Sequence, residues 1–326
     1  MNRTDLAERE AALREGLRES GTRPGRLPAH CRSDARPTPA VHALQRELRE
    51  RGLHSVCEEA RCPNRNKCFT SGTATFMLLG SVCTRTCRFC NVATGRPDPV
   101  DLLEPGRVAG AARDLGLQHV VVTSVNRDDL PPDDQGSLQF ARTIAALRAA
   151  APSVTVEVLT PDFQGCAAAI DRVVDAAPDV YNHNVETVPR LYRSVRPGAR
   201  YERSLELLAR VRERGPEIWT KSGLMLGLGE TRDEVLDVLR DLRRAGVDCL
   251  TLGQYLRPTL RHLEVARYLD PAEFDELRGE AEALGFAHVA SGPLVRSSFH
   301  AEAAFELLRQ RRRQGLSGAE ARDAEV

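Results

Sequence analysis

Cys83, Cys87 and Cys90 stand as Cys-x3-Cys-x2-Cys in CTRTCRFCN, directly after the apolar, strand-like run TATFMLLGS. Three thiolates can ligate three irons of a 4Fe-4S cluster, whereas closed ferredoxin-type sites use four, so this spacing leaves one iron open to an external ligand. An open iron beside a strand points to chemistry at the metal. A second triplet, Cys57, Cys62 and Cys68, follows Cys-x4-Cys-x5-Cys in CEEARCPNRNKCF, so six of the nine cysteines lie between residues 57 and 90. Structural zinc fits poorly, because closed zinc sites take four ligands, usually from paired knuckles, and no histidine lies between Cys57 and Cys90. An odd cysteine count in 326 residues argues against the disulfide framework of a small secreted chain. Cys31 matches neither spacing and is expected to be incidental.

Composition bounds the partners. Zero formal net charge argues against a polyanion, and so against nucleic acid, as the main partner. The basic residues are almost all arginine, Lys67 and Lys221 being the only lysines. That scarcity singles out Lys221, inside a strand-like segment. No run approaches the ~20 apolar residues that span a bilayer. The acid-containing amino terminus lacks the pattern of a signal or transit peptide, and reduced thiols then point to the cytoplasm.

From Thr75 onward, apolar runs alternate with helical patterns. TFMLLGS, HVVVTSV, VTVEVLT, VYNHNVE, WTKSGLMLG and CLTLGQYL read as strands, with helices after Gly106, Gly136, Cys166, Tyr201 and Thr231. Such alternation implies right-handed βαβ units and a parallel sheet. Upstream, Val41, Leu44 and Leu48 at helical spacing predict a helix from Val41 to about Arg51, stopped by Gly52, with the first triplet following in a loop. Residues 1–36 read as a weakly ordered lead-in, and the tail after Gln314 as disordered.

Two further strand ends carry polar groups that a purely structural strand does not need: Ser124, Asn126, Arg127, Asp128 and Asp129 after HVVVT, and Asn182, His183, Asn184 and Glu186 after DVY. Turn chemistry competes evenly for Asp128 and Asp129, since Asp favours loops and caps.

Both triplets resemble, in type and spacing, the two cluster motifs of lipoyl synthases, members of the radical S-adenosylmethionine (SAM) superfamily. GLHSVCEEARCPN, VVTSVNRDDLP, YNHNVETVPRLYRSVRPGARYERSLELL, TKSGLMLGLGET, LTLGQYLRPTLRHLEVARY and HVASGPLVRSSFHAE are similar to the same family, so the resemblance runs from about residue 40 to 302. It implies an α/β fold, a partial (β/α)6 TIM-like barrel with its active site at the carboxyl ends of the strands. The chain then divides into a lead-in, 1–36, an extension with the first triplet, 37–73, the barrel, 74–294, and a carboxyl-terminal segment, 295–326.

The resemblance further implies two 4Fe-4S clusters and SAM as cofactors. Cys83, Cys87 and Cys90 would hold the cluster that binds SAM, and Cys57, Cys62 and Cys68 an auxiliary cluster. RSSFHA matches the family's RSSYxA motif, which makes Ser298 the auxiliary cluster's fourth ligand, with Phe299 replacing the usual Tyr. Serine oxygen is a harder ligand than thiolate, which suggests a replaceable one. SAM carries an ammonium, a carboxylate, a sulfonium and hydroxyls, so Ser124, Asn126, Asn184 and Glu186 are expected to bind it, with Lys221 and Arg257 as positive partners. Asn126 stands where Asp is more usual. The implied reaction inserts two sulfur atoms, drawn from the auxiliary cluster, at the sixth and eighth carbons of an octanoyl-lysine. Its partners would be an octanoylated lipoyl carrier domain or H protein, a flavodoxin or ferredoxin, and iron-sulfur assembly proteins. Biotin synthases lack the first triplet, and methylthiotransferases spread their cysteines and add an RNA-binding domain. A non-catalytic iron-sulfur protein is the reading from another class, disfavoured because the whole site is retained.

Overall fold

The computed structural model describes residues 27–33, 36–60, 62–70, 73–298 and 305. Most of the lead-in, Phe299 and the tail after Gln314 lie outside them.

The chain enters through α1 (Pro39–Glu50), β1 (His54–Ser55), α2 (Val56–Glu59) and α3 (Arg65–Thr70). The barrel strands are β2 (Thr73–Leu78), then, after the short pair β3 (Val82–Cys83) and β4 (Ala93–Thr94), β5 (His119–Ser124), β6 (Thr155–Leu159), β7 (Val180–Asn182), β8 (Trp219–Leu226), β9 (Cys249–Gln254) and β10 (His288–Gly292). Helices α4 (Glu104–Asp114), α5 (Ser137–Ala150), α6 (Ala167–Asp175), α7 (Tyr192–Val195), α8 (Tyr201–Arg214), α9 (Arg232–Arg244) and α10 (Pro271–Ala283) fill the connections. The sheet has eight strands in the order β1-β2-β5-β6-β7-β8-β9-β10. Every neighbouring pair is parallel except β1 with β2. The six expected strands are all present, and β10 adds a seventh to the parallel set.

Alternation along the strands explains both surfaces of the sheet. Val120, Val122, Val156, Val158, Leu250 and Leu252 join the main apolar core. Between them on the opposite face stand His119, Thr123, Glu157 and Thr251, all buried polar side chains. The outer face thus packs helices, while the inner face is built from groups that need partners. Helix α9 shows the packing logic: Val235, Val238, Leu239 and Leu242 are buried at helical spacing, and a Thr231/Glu234 capping box starts the helix. At the amino-terminal end of the barrel, Phe305 packs with Val180, Trp219 and Cys249.

Three expectations need correcting. The first triplet does not sit in a plain loop, since Cys57 lies in α2 and Cys68 in α3. Helix α1 starts two residues earlier than expected, because Thr38 caps it and Pro39 supplies a preset φ at the first turn. The end of the lead-in is not loose: Ala29–Cys31 forms a 3-10 turn with Cys31 buried.

Candidate functional site

Strand β2 ends in two consecutive left-handed residues, Leu79 (φ 68°) and Gly80 (φ 88°), which turn the chain sharply onto the second triplet. Glu104 accepts from the Leu79 amide at 3.0 Å and fixes that turn. The cysteine loop closes on itself through Gly95 N to Cys83 O at 3.0 Å and Cys90 N to Cys87 O at 3.1 Å. Arg85, inside the loop, then clamps it to two other strand ends. It donates to both carboxylate oxygens of Asp128, at 2.6 and 2.8 Å, and to Asp162 at 2.7 Å. Burial pushes the Asp162 carboxyl up, but Arg85 outweighs it and holds that group well below the usual carboxylate range. Asp128 is therefore a clamp on the cysteine loop, and Asp129 is one on Arg127, at 2.8 Å.

The first triplet reaches the same space. Ser55 caps α2 by accepting from Cys57 N at 3.1 Å, and Asn64 donates to Leu294 O, tying this segment to the chain that carries Ser298. Asn91 donates to Glu59 O at 2.8 Å, linking the two cysteine segments directly. A hydrogen bond between Cys57 and Cys62 raises the Cys57 thiol and lowers that of Cys62. In the second triplet burial raises Cys87, and lifts Cys90 to about 12. Such buried thiols become thiolates when a cationic centre coordinates them.

A cavity of about 510 Å³ joins these parts. All six triplet cysteines line it, as do Ser124, Asn126, Asn184, Glu186, Arg257 and Ser298. Its apolar wall includes Val56, Met77, Phe89, Val92, Leu159 and Met225. Several polar atoms on its wall are buried without partners: Ser124 Oγ, Asn184 Oδ1 and Arg196 Nε. Buried orphan polar atoms are costly, and a polar ligand would satisfy them. Glu186 is held at φ 66°, a strained value for a non-glycine residue, by paired backbone bonds to Gly223 O and Met225 N, at 2.9 Å each. Asn184 donates to Glu186 at 3.1 Å and to Ser297 at 2.6 Å. The first serine of RSSF is thus engaged with the barrel, and the second is left to the cavity.

Two expected residues behave differently. Lys221 does not line the cavity. It sits one inward-facing position below Gly223 on β8, where it pairs with buried Glu157 at 3.0 Å, because the strand runs five more residues before it ends. Arg257 lines the cavity, but its guanidinium donates to the carbonyls of Leu260 and His262 and pairs with Glu264 at 3.3 Å, so it braces that loop. Arg196, which the sequence did not single out, supplies a buried guanidinium beside Cys87 and Glu186 instead. Neither Arg85 nor Asp162 carries a local signal, since they pair across 77 residues, whereas Arg196 holds the Asn184 and Val185 carbonyls within its own segment.

Among the described residues, no three Cys, His, Asp or Glu side chains are placed to hold a single metal ion. The fit to clusters therefore rests on the donor set: three thiols in each of two groups, electrostatically coupled within each group and opening on one cavity.

The model of the Radical SAM superfamily matches residues 77–242. Lipoyl synthase of Methylococcus capsulatus is 59% identical over 280 residues, covering 86% of each chain. Those of Yersinia enterocolitica and Klebsiella pneumoniae are 56% and 57% identical over 266 residues, covering 80% of this chain and 81% of theirs. Among solved structures, methylornithine synthase superposes with a TM-score of 0.50 at 12% identity, covering 87% of this chain and 96% of that one. SuiB of Streptococcus suis bound to its precursor peptide gives 0.52 at 12% identity, covering 89% of this chain and 62% of its own. These two likenesses bear on the fold alone. With two thiol triplets on one barrel cavity and close relatives along most of its length, the chain belongs to the lipoyl synthase family of the radical SAM superfamily.

Proposed function

We propose that the 510 Å³ cavity is where this enzyme completes lipoyl synthesis, inserting two sulfur atoms at the sixth and eighth carbons of an octanoyl-lysine on a lipoyl carrier protein. The observation that carries the reading is that both triplets and Ser298 open on the same cavity. Cys83, Cys87 and Cys90 would hold the cluster that binds SAM; Cys57, Cys62, Cys68 and Ser298 would hold the auxiliary cluster. When bound, these groups supply the electron that cleaves SAM to a 5′-deoxyadenosyl radical and the sulfur that the substrate gains.

The chain's own residues do the positioning. Ser124, Asn126, Asn184 and Glu186 present hydroxyl, amide and carboxylate groups to the amino-acid and ribose parts of SAM, and the Arg196 guanidinium is suited to its carboxylate. Val56, Met77, Leu159 and Met225 offer apolar surface for the alkyl chain and displace water from it. Arg85 holds the cysteine loop against Asp128 and Asp162, which fixes its distance from the substrate wall. A flavodoxin or ferredoxin as electron donor, assembly proteins that rebuild the auxiliary cluster, and a cytoplasmic setting complete the reading. Among the described residues no helix is long and apolar enough to cross a membrane.

The test is an anaerobic single turnover of the reconstituted protein with dithionite, SAM and an octanoyl-lysyl peptide, read by mass spectrometry. A dithiolated peptide with 5′-deoxyadenosine is expected. SAM cleavage without sulfur in the peptide would refute the substrate assignment.

Gly223 gives a second check, specific to the SAM site. A Cβ at this position would stand 2.3 Å from Thr251 Oγ1 and 3.1 Å from Asn184 Oδ1. Gly223→Ala must therefore push Asn184 or Thr251 out of place, and overpacking of this kind costs about 1–3 kcal/mol. SAM affinity, measured by calorimetry, is expected to weaken roughly tenfold or more, as one to two kcal/mol implies. An unchanged affinity would mean that the displaced side chain is no part of the SAM site.

A further inference from the structure

Outside the cavity, three segments lie side by side around the second triplet. Arg88 N donates to Val195 O at 2.9 Å, and Leu263 N donates to Arg88 O at 3.1 Å. His262 Nε2 contacts Cys90 O at 2.9 Å. These contacts bring together the segments that carry Arg88, Arg193 and Arg261, and all three arginines are exposed. None of the three makes an ion pair with a described residue, although most arginines around the barrel helices do. Leu260, at the centre of the 257–264 loop, is 87% exposed, more than any other exposed large apolar side chain among the described residues. The acid of this loop, Glu264, is paired with Arg257. An uncompensated basic rim with an apolar tip, on a chain of zero net charge, is a docking feature rather than an average surface.

We propose that this face docks an acidic protein that delivers single electrons to the cluster held by Cys83, Cys87 and Cys90, a proposal that rests on that ligand assignment. Neither Arg88, Arg193, Leu260 nor Arg261 lines the cavity, so a partner seated here lies outside it. It does reach the outer edge of the cysteine loop, since Arg88 lies between two of the ligands. In the transfer, a flavin hydroquinone anion becomes the neutral semiquinone by losing one electron, and the oxidised cluster gains it. No proton crosses and no bond to this chain forms or breaks. Acidic residues around the donor's redox edge would meet the arginine rim, which makes association fast and salt-sensitive.

The probe is a flavodoxin, with an Arg193→Glu/Arg261→Glu double variant and a Leu260→Ser variant of the full, cluster-loaded enzyme. Two quantities are compared: SAM cleavage driven by flavodoxin hydroquinone, and the calorimetric Kd for flavodoxin. Charge reversal is expected to weaken both by about tenfold or more and to flatten their dependence on salt between roughly 50 and 300 mM, while dithionite-driven cleavage stays within about twofold. Leu260→Ser should lower affinity by a smaller factor. Unchanged Kd and unchanged flavodoxin-driven rate in the double variant would overturn the proposal, as would failure of both flavodoxin and a ferredoxin to bind the wild type. If the wild type cleaves no SAM even with dithionite, the function reading falls, and the Kd comparison still decides the docking face.

Discussion

Cys62→Ala is expected to leave SAM cleavage running while the dithiolated product falls below detection, and Cys83→Ala to abolish both. The two triplets open on one cavity yet rest on separate scaffolds. Cys83 lies on β3 behind the Leu79–Gly80 turn and is braced through Arg85 to Asp128 and Asp162. Cys62 lies between α2 and α3 and is tied through Asn64 to Leu294. Losing one thiolate of three should empty its own cluster and leave the other, so each variant should retain roughly half of the wild-type iron and sulfide. Anaerobic reconstitution, iron and sulfide analysis and mass spectrometry of 5′-deoxyadenosine and peptide check all of this on one sample. If Cys83→Ala still cleaves SAM, or Cys62→Ala still yields dithiolated peptide, the division of labour between the triplets is wrong.

Most of the architecture was legible in the sequence because the relevant signals are local and periodic. Val120, Val122, Val156 and Val158 announce strands by alternation, and Val235, Val238, Leu239 and Leu242 announce α9 by helical spacing. Strand β10 was missed because HVASG is short and ends in Ser and Gly, so it stands only through its five-residue register with β9. Helices α2 and α3 were missed because each is a single turn or two of polar sequence around cysteines. At the site, spacing identified the cysteine ligands but not what aims them. The clamp from Arg85 to Asp128 and Asp162 spans 43 and 77 residues, and no window of sequence contains it. Lys221 shows the opposite failure: a rare lysine in a strand drew attention as a ligand, while its partner Glu157 lay 64 residues away.

That misplacement carries the largest stability prediction. Glu157 is 1% exposed and Lys221 5%, and the carboxylate also accepts from Asn182 Nδ2 at 3.2 Å, with His119 Nε2 at 3.4 Å. Burial pushes the Glu157 carboxyl up, but Lys221 and His119 together outweigh it and hold it at about 2. Lys221→Met removes the main counter-charge and leaves a carboxylate beneath the cavity floor, which should cost about 3–5 kcal/mol in denaturant titrations at neutral pH. Glu157→Gln added to Lys221→Met should recover much of that loss, because removing both charges of a buried pair is far less harmful than removing one. The pH dependence has a fixed sign. A carboxyl depressed in the folded state contributes stability that is complete above its ordinary value of 4.5 and is lost as the pH falls toward about 2. Acid titration of the cluster-free protein should therefore destabilise the wild type over that window more steeply than Lys221→Met. If SAM affinity collapses in Lys221→Met while stability is unchanged, Lys221 belongs to the SAM site after all; the pairing with Glu157 requires the reverse.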